Sequence, residues 1–433
     1  MTVTVETNQL PEGYHMTELG PLPEEWRVVR LGEVMRQRKA FITIDDNTLY
    51  MRPTVKLRGQ GVVLRDIIAG AKLKIKRQQV CYSGDFVVAE IDAKLGGFGI
   101  VPPDLSGAIV SSHYFVFELH KNLLEPSFVE FLVKTPILLR QVEPRGSTNY
   151  ASIRPKQVSS YLIPLPPLPE QRAIARVLRT VQEAKQASYR VIAALRELKK
   201  SLMRHLFTYG PVPLNQADQV ALKDTEIDPI PEHWRVVQLG EVAEMKQGKV
   251  LPTKRMTSAG YPVFGANGQI GWFSEYTHEQ SEVLVTCRGA TCGTVNVSPP
   301  KAFITNNAMV VRPKKEEILG KDFLSFVLRR ADPKKAVTGT GQPQITKATL
   351  SACLIPIPPL PEQQEIARIL QAVDQRIQAE EAYARALGDL FRTLLHQLMS
   401  GEKRLPKSFI AQFAESPSHP PENPGPNPQG GAH

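Results

Sequence analysis

The side chains of this chain suggest contact with a polyanion before anything else. Lys72, Lys74, Lys76 and Arg77 form the strip Lys-Leu-Lys-Ile-Lys-Arg. On a strand the three lysines would share one face and could follow a phosphate backbone, although a solvated edge strand guarded by lysines would read the same way. Lys94 stands in a Gly-flanked turn. With Ser111, Ser112 and His113 it offers short polar groups to base edges beside glycines that permit close backbone approach, and a plain loop would use the same residues. Further on come Lys254, Arg255, Asn267, Gln269, Arg288, Thr305, Asn306 and Asn307. Arg matches guanine bidentately while Asn and Gln match adenine, and the Thr-Asn-Asn run could equally cap a turn. Arg145, Ser147, Thr148, Asn149 and Tyr150, with Thr338, Thr340 and Gln342 later in the chain, lie in Gly-rich polar stretches suited to phosphates.

A second chemistry is imitated rather than spelled out. Asp85, Glu90, Asp92 and Lys94 resemble the carboxylate and lysine set that holds Mg²⁺ in many nucleases, but the comparable stretch later on reads Glu282-Val-Leu-Val-Thr-Cys-Arg-Gly. No Asn-Pro-Pro-Tyr motif or Gly-rich cofactor turn for methyl transfer is present, nor a Gly-rich Lys-Ser/Thr loop for ATP. Only Cys287 and Cys292 of the four cysteines lie close together, and no second Cys or His pair stands at metal-ligand spacing. No catalytic residue, cofactor or metal is therefore expected. The net charge of +10 favours a polyanion or an acidic protein surface, and alone leaves ribosomal, membrane-surface and DNA partners open. The opening MTVTVETNQLPEGYH has neither a basic nor an apolar leader region and nothing resembles a membrane span, so a cytoplasmic protein is expected.

What must position these residues is written twice. Pro-Glu-Glu-Trp-Arg-Val-Val-Arg-Leu-Gly-Glu-Val from Pro23 to Val34 returns as Pro-Glu-His-Trp-Arg-Val-Val-Gln-Leu-Gly-Glu-Val from Pro231 to Val242. Ile-Pro-Leu-Pro-Pro-Leu-Pro-Glu-Gln from Ile163 to Gln171 returns as Ile-Pro-Ile-Pro-Pro-Leu-Pro-Glu-Gln from Ile355 to Gln363. With 433 residues, a long unit duplicated once points to two similar domains and a pseudo-twofold axis. Between the repeated blocks lie unlike α/β segments, about 36–162 and 244–354. Their short β-branched runs include those around Val80, Val87, Phe115, Leu284 and Val310, and helices are expected over Pro126 to Leu139 and Asp322 to Arg329. Trp26 and Trp234 read as core anchors of each domain.

Each proline block leads into a helix with carboxylates in its first turn. Ile174, Val177, Val181, Ala184, Ser188, Val191, Leu195, Leu198 and Leu202 set a heptad seam, matched by Ile366, Ile369, Val373, Arg376, Glu380, Tyr383, Leu387, Leu390 and Leu394. Helices of about 37 residues would each span ~55 Å, and neither buries its seam alone. The expected division is an N-terminal extension (1–16), a first α/β domain (17–168), a long helix (169–209), a linker (210–224), a second α/β domain (225–360), a second long helix (361–400) and a tail (401–433) that is disordered from about 416.

The doubled proline block running into Ile-Ala-Arg-(Val/Ile)-Leu and the doubled Trp-Arg-Val-Val-x-Leu-Gly-Glu-Val resemble the specificity subunits of type I restriction-modification systems. The Gly-Ser-Thr and Gly-Thr-Gly stretches at Gly146 to Thr148 and Gly339 to Gly341 belong to the same likeness. Ile91 to Val101 and Gly265 to Trp272 look like parts of that family's target recognition domains. The resemblance covers about residues 17 to 405. It implies two mixed α/β recognition domains, separated and linked by two long antiparallel coiled-coil helices. It also implies a non-catalytic reader of double-stranded DNA with a bipartite, asymmetric target whose gap the helices set. The partners implied are two methyltransferase subunits and, in the full system, endonuclease/translocase subunits. A coiled-coil scaffold whose flanking domains bind protein is the alternative reading.

Overall fold

The computed structural model describes residues 10–143, 152–266, 268–339 and 343–414. The chain divides into two units: Met1–Ala187 with Ala384–His433, and Ser188–Tyr383. Each takes part of both long helices, Leu168–Tyr209 (42 residues) and Leu360–Met399 (40 residues).

The repeated blocks meet each other inside each unit, which is why they come in matched pairs. Arg27–Arg30 pairs antiparallel with Leu162–Leu165, and Arg235–Gln238 pairs with Leu354–Ile357 in the same register. Each pair stands on a tryptophan. Trp26 and Trp234 are buried, and their indole Nε1 groups donate to Glu170 Oε2 at 3.0 Å and Glu362 Oε2 at 2.9 Å. The Pro-Glu-Gln turn adds a second fastening. Gln171, fully buried, donates from Nε2 to Leu123 O and Pro166 O, and its Oε1 accepts from the Glu125 amide. Gln363 repeats this with Ile318 O, Pro358 O and the Gly320 amide. The motif recurs because one side chain satisfies three backbone groups that burial would otherwise orphan.

A four-stranded antiparallel sheet forms the centre of each unit. In the first its order is Phe98–Ile100, Phe86–Ala89, Tyr114–Leu119, Met35–Gln37, and in the second Val295–Val297, Val283–Thr286, Ala308–Pro313, Ala243–Gln247. The first unit's core joins Phe86, Phe117, Phe128 and Phe131 to Ile174, Leu178 and Leu398. The second joins Val285, Phe323 and Val327 to Phe207, Ile366 and Leu370. The first unit also carries a two-stranded hairpin, Leu49–Val55 with Val62–Ala69, whereas the hairpin between the corresponding strands of the second, Tyr261–Gly265 with Gly268–Phe273, pairs further with Phe303–Ile304.

Three details differ from the sequence reading. The helix expected over Pro126 to Leu139 is two, Pro126–Leu132 and Pro136–Leu139. Pro136 disfavours helical backbone at Thr135, whose hydroxyl caps the second piece at Ile137 N. The Lys72–Arg77 strip is not one strand: Gly70–Lys72 is a 3-10 turn and the ladder begins only at Arg77. Its alternation buries Leu73 but leaves Ile75 67% exposed. The seam also shifts, since Val191, Leu198, Tyr383 and Leu390 are exposed. The less accessible stripe runs through Ile174, Leu178, Val181, Lys185, Ser188 and Ile192, and through Ile366, Leu370, Val373, Ile377, Glu380 and Ala384. The stripe still advances by seven residues, through Ile174, Val181 and Ser188 and through Leu178, Lys185 and Ile192, so the heptad holds and only its second position moves one residue along the helix. Within the second unit Arg196 pairs with Glu381 and Lys199 with Asp374, so the two helices run antiparallel there.

Candidate nucleic-acid interface

The end of the central strand is built alike in both units. In the first, the Glu90 amide donates to His113 O at 2.8 Å and the Ile153 amide donates to Glu90 O at 3.2 Å. In the second, the Cys287 amide donates to Asn307 O at 2.9 Å and the Ile345 amide to Cys287 O at 3.0 Å. Two backbone bonds thus gather the same three stretches: the strand end, the start of the next sheet strand, and the segment that follows each Gly-Thr-rich stretch. The scaffold is one; the side chains it displays are two.

In the first unit the edge is polar and self-neutralised. The Glu90 carboxylate takes Arg154 Nη1 at 2.5 Å and lies 3.1 Å from His113 Nδ1, and both partners are about two-thirds exposed. Ser111 and Ser112 are exposed beside them, and register puts this turn at the Arg77 end of its sheet, because Val110 pairs with Gln79. Lys94, in the 3-10 turn Asp92–Leu95 that follows Glu90, is exposed. The glycines around it admit backbone from the protein itself: a Cβ on Gly96 would stand 3.0 Å from Arg58 Cα. Lys72 and Lys74 are exposed, whereas Lys76 is occupied by Asp46 and by Gly70 O at 2.9 Å.

The second edge carries different groups. Arg288 is exposed and bridges the backbone of Gln344, which also bridges Thr338. Asn306 and Asn307 are half-buried. Asn306 O accepts from Gln247 Nε2 at 2.6 Å, and the Asn306 amide donates to Lys249 O. Thr305 lies beneath, 3% exposed, with no partner for its hydroxyl among the described residues. The hairpin tip bearing Gln269 is tied in where Ala266 O accepts from Thr286 Oγ1 at 2.8 Å and from Thr291 Oγ1. Lys254 and Arg255 sit at the other end of that hairpin, Arg255 over the Phe273 ring. Arg145, Ser147, Thr148, Asn149, Tyr150, Asn267, Thr340 and Gln342 lie outside the described residues.

Of the carboxylates that imitate a nuclease, Asp85 and Glu90 are held by arginines, while Asp92 is exposed. Asp85 is 2% exposed, and accepts from Arg38 Nε and Nη2 at 3.1 Å and from the Tyr82 amide at 2.8 Å. Burial pushes its carboxyl up, against the pull of Tyr82 and Arg38. Glu282 holds the equivalent place and pairs with Arg312. Among the described residues no cluster of His, Cys, Asp and Glu is placed to hold a metal ion. Cys287 and Cys292 are buried free thiols that burial pushes up.

Sequence reasoning missed Arg58, Arg154, Gln247, Lys249 and Gln344. Arg154 and Gln344 each follow a Gly-Thr-rich stretch closely, and Arg58 sits in Arg-Gly-Gln-Gly, a turn signal carrying a cation.

Two modules of one topology with unlike exposed edges, each built onto stretches of two long helices, define a tandem recognition protein. Residues 23–193 and 231–386 match the family described as the type I restriction modification DNA specificity domain. The chain belongs to that family. It is similar to a putative type I restriction enzyme MjaX specificity subunit of Methanocaldococcus jannaschii, 25% identical over 428 residues, with 91% of this chain and 97% of that protein covered. The crystal structure of a type I restriction-modification system S subunit from M. genitalium shares the fold: TM-score 0.60, 17% identity, covering 86% of this chain and 96% of that one. A chain from a structural study of complex assembly and conformational transition in the type I R-M system matches with TM-score 0.50 and 25% identity, covering 88% of this chain and 99% of that one. No helix among the described residues is long and apolar enough to cross a membrane.

Proposed function

We propose that this chain is the DNA-reading subunit of a type I restriction-modification complex, catalysing nothing itself, with each unit reading one half of a split, asymmetric target in double-stranded DNA. The observation that carries this is the pair of equivalent strand ends, fastened by the same two backbone bonds and displaying Glu90, Arg154 and His113 in one unit and Arg288, Asn306 and Asn307 in the other. Identical scaffolds with unlike polar edges suit unlike half-sites. The segments 17–168 and 225–360 are the two readers, and the helices 169–209 and 361–400 set the gap, with 210–224 as connector. The extension 1–16 and the tail 401–433 lie outside the readers.

Methyl transfer and ATP-driven cleavage come from partner chains: two methyltransferase subunits, and endonuclease/translocase subunits in the full complex. A groove beside the repeated blocks of each unit, at Leu22 and Pro164 in one and at Ile230 and Pro356 in the other, supports paired docking. One is lined by Leu22, Pro136, Pro164 and Met399, the other by Phe207, Ile230, Ala331 and Pro356. The same partner bound twice requires such a repeated surface.

The test is co-expression with the methyltransferase encoded beside the gene, mapping methylated adenines across the host genome by single-molecule sequencing. A split, non-palindromic motif with a constant gap is expected. Continuous motifs, or methylation that does not depend on this chain, would overturn the reading and favour a protein-binding scaffold.

A further inference from the structure

The turn that joins the Leu49–Val55 and Val62–Ala69 strands of the first unit, Lys56 to Gly61, is seated in a slot made by glycines. The Arg58 amide donates to Leu95 O at 2.8 Å and the Gly59 amide to Gly96 O at 2.9 Å. A Cβ on Gly96 would meet Arg58 Cα, one on Gly59 would run into the Val133 carbonyl, and one on Gly99 would press on Val62 and Gly61. The turn is therefore bound to the Asp92–Leu95 turn along its backbone, not merely resting on it.

At the centre of this clamp Arg58 has φ 56°, the left-handed region that costs a side-chain-bearing residue free energy and that glycine enters without penalty. Glycines flank it on the same turn at Gly59 and Gly61, so a glycine at this place would serve the fold better. Strain of this kind persists where the side chain is needed. Arg58 is exposed, as is Lys94 one residue before the acceptor Leu95, and neither has an acidic partner among the described residues. The two cations thus project from one rigid backbone junction that follows directly on Glu90, the residue that gathers the polar edge.

We infer that Arg58 and Lys94 form a two-pronged clamp on the DNA phosphate backbone beside the first half-site, fixing the register in which the Glu90 edge meets the bases. This rests on the DNA-reading function proposed above. Arg58 contacts phosphate because two exposed cations on turns joined by backbone bonds suit a charge, and phosphate contacts position a reader without specifying sequence. The hairpin of the second unit turns at Gly265 to Gly268 and carries no Arg-Gly-Gln-Gly sequence, so the clamp belongs to one half-site only.

The test uses the full chain in complex with its methyltransferase, titrated by fluorescence anisotropy onto a duplex carrying the mapped target and onto a scrambled duplex, at several salt concentrations. Arg58→Gly relieves the backbone strain while removing the cation. Its expected signature is an unchanged or raised melting temperature, affinity lowered about tenfold for both duplexes, and a log-log salt slope shallower by about one. Arg58→Lys restores most of the affinity, and Lys94→Ala repeats the loss. Wild-type affinity in Arg58→Gly would overturn the clamp, as would a loss confined to the target duplex, which marks a base contact instead. If the unmutated complex does not prefer the target duplex, the DNA-reading function fails first and the clamp with it.

Discussion

Replacing Gln171 with Met keeps the length and volume of the side chain and deletes its hydrogen bonds. Gln171 is fully buried and satisfies Leu123 O at 2.9 Å, Pro166 O at 2.8 Å and the Glu125 amide at 2.9 Å. Each buried backbone group left without a partner costs about 1–3 kcal/mol, so three orphans set a ceiling of about 9 kcal/mol. Relaxation and entry of water bring the expectation to about 3–5 kcal/mol, near the total stability of a marginal domain. Gln363→Met removes the matching bonds to Ile318 O, Pro358 O and the Gly320 amide. Hydrogen exchange followed by mass spectrometry reads the two halves separately. Gln171→Met should release the Glu125 amide and the turn around it while Gly320 stays protected, and Gln363→Met should do the reverse. Urea unfolding of the full chain should show the loss. A change below about 1 kcal/mol in either variant, or equal loosening of both halves by one substitution, would refute the reasoning that this glutamine fastens each half locally.

Two further outcomes follow from other parts of the molecule. Deleting one heptad from each long helix shortens them by ~10 Å and keeps the buried stripe in phase, so the gap between half-sites should shrink by about 3 base pairs with the half-sites unchanged. Methylome sequencing decides this, and altered bases at a constant gap would overturn the division of labour. Burial, and then the charge of Asp85, push the Cys81 thiol up to about 12 from its ordinary value of 9.0. Because the unfolded thiol ionises first as pH rises from about 9 towards 12, that interval costs folding stability, and the thiol's contribution is fully present below it. Cys81→Ala should flatten the alkaline limb of a stability-against-pH curve, and an unchanged limb would contradict this account.

How much was legible follows from what each signal needs. The repeated blocks could be read because each is a pair of strands and a helix start that bury the same groups twice, so sequence identity tracks structural duty. The variable segments gave their strands by alternation but not their meeting point. Nothing local in Ser111–His113 or in Ile153 says that both lie on Glu90, since backbone bonds between distant segments leave no mark on residue type. The lysine strip alternates like a strand although it is not one, because a 3-10 turn at Gly70 to Lys72 followed by a buried Leu73 gives the same pattern of residue types. Family resemblance supplied the partners, which composition could not.

By itself, then, the sequence determined two copies of one scaffold, two long helices, a basic balance and no cofactor motif, because these depend on periodicity, proline chemistry and repetition along the chain. Tertiary structure decided which polar residues share an edge, which carboxylates are consumed by Arg38, Arg154 and Arg312, and that Arg58 is held in a conformation only its surroundings could impose. Those outcomes hinge on contacts between residues far apart in sequence, whose free energy exists only once the chain has folded.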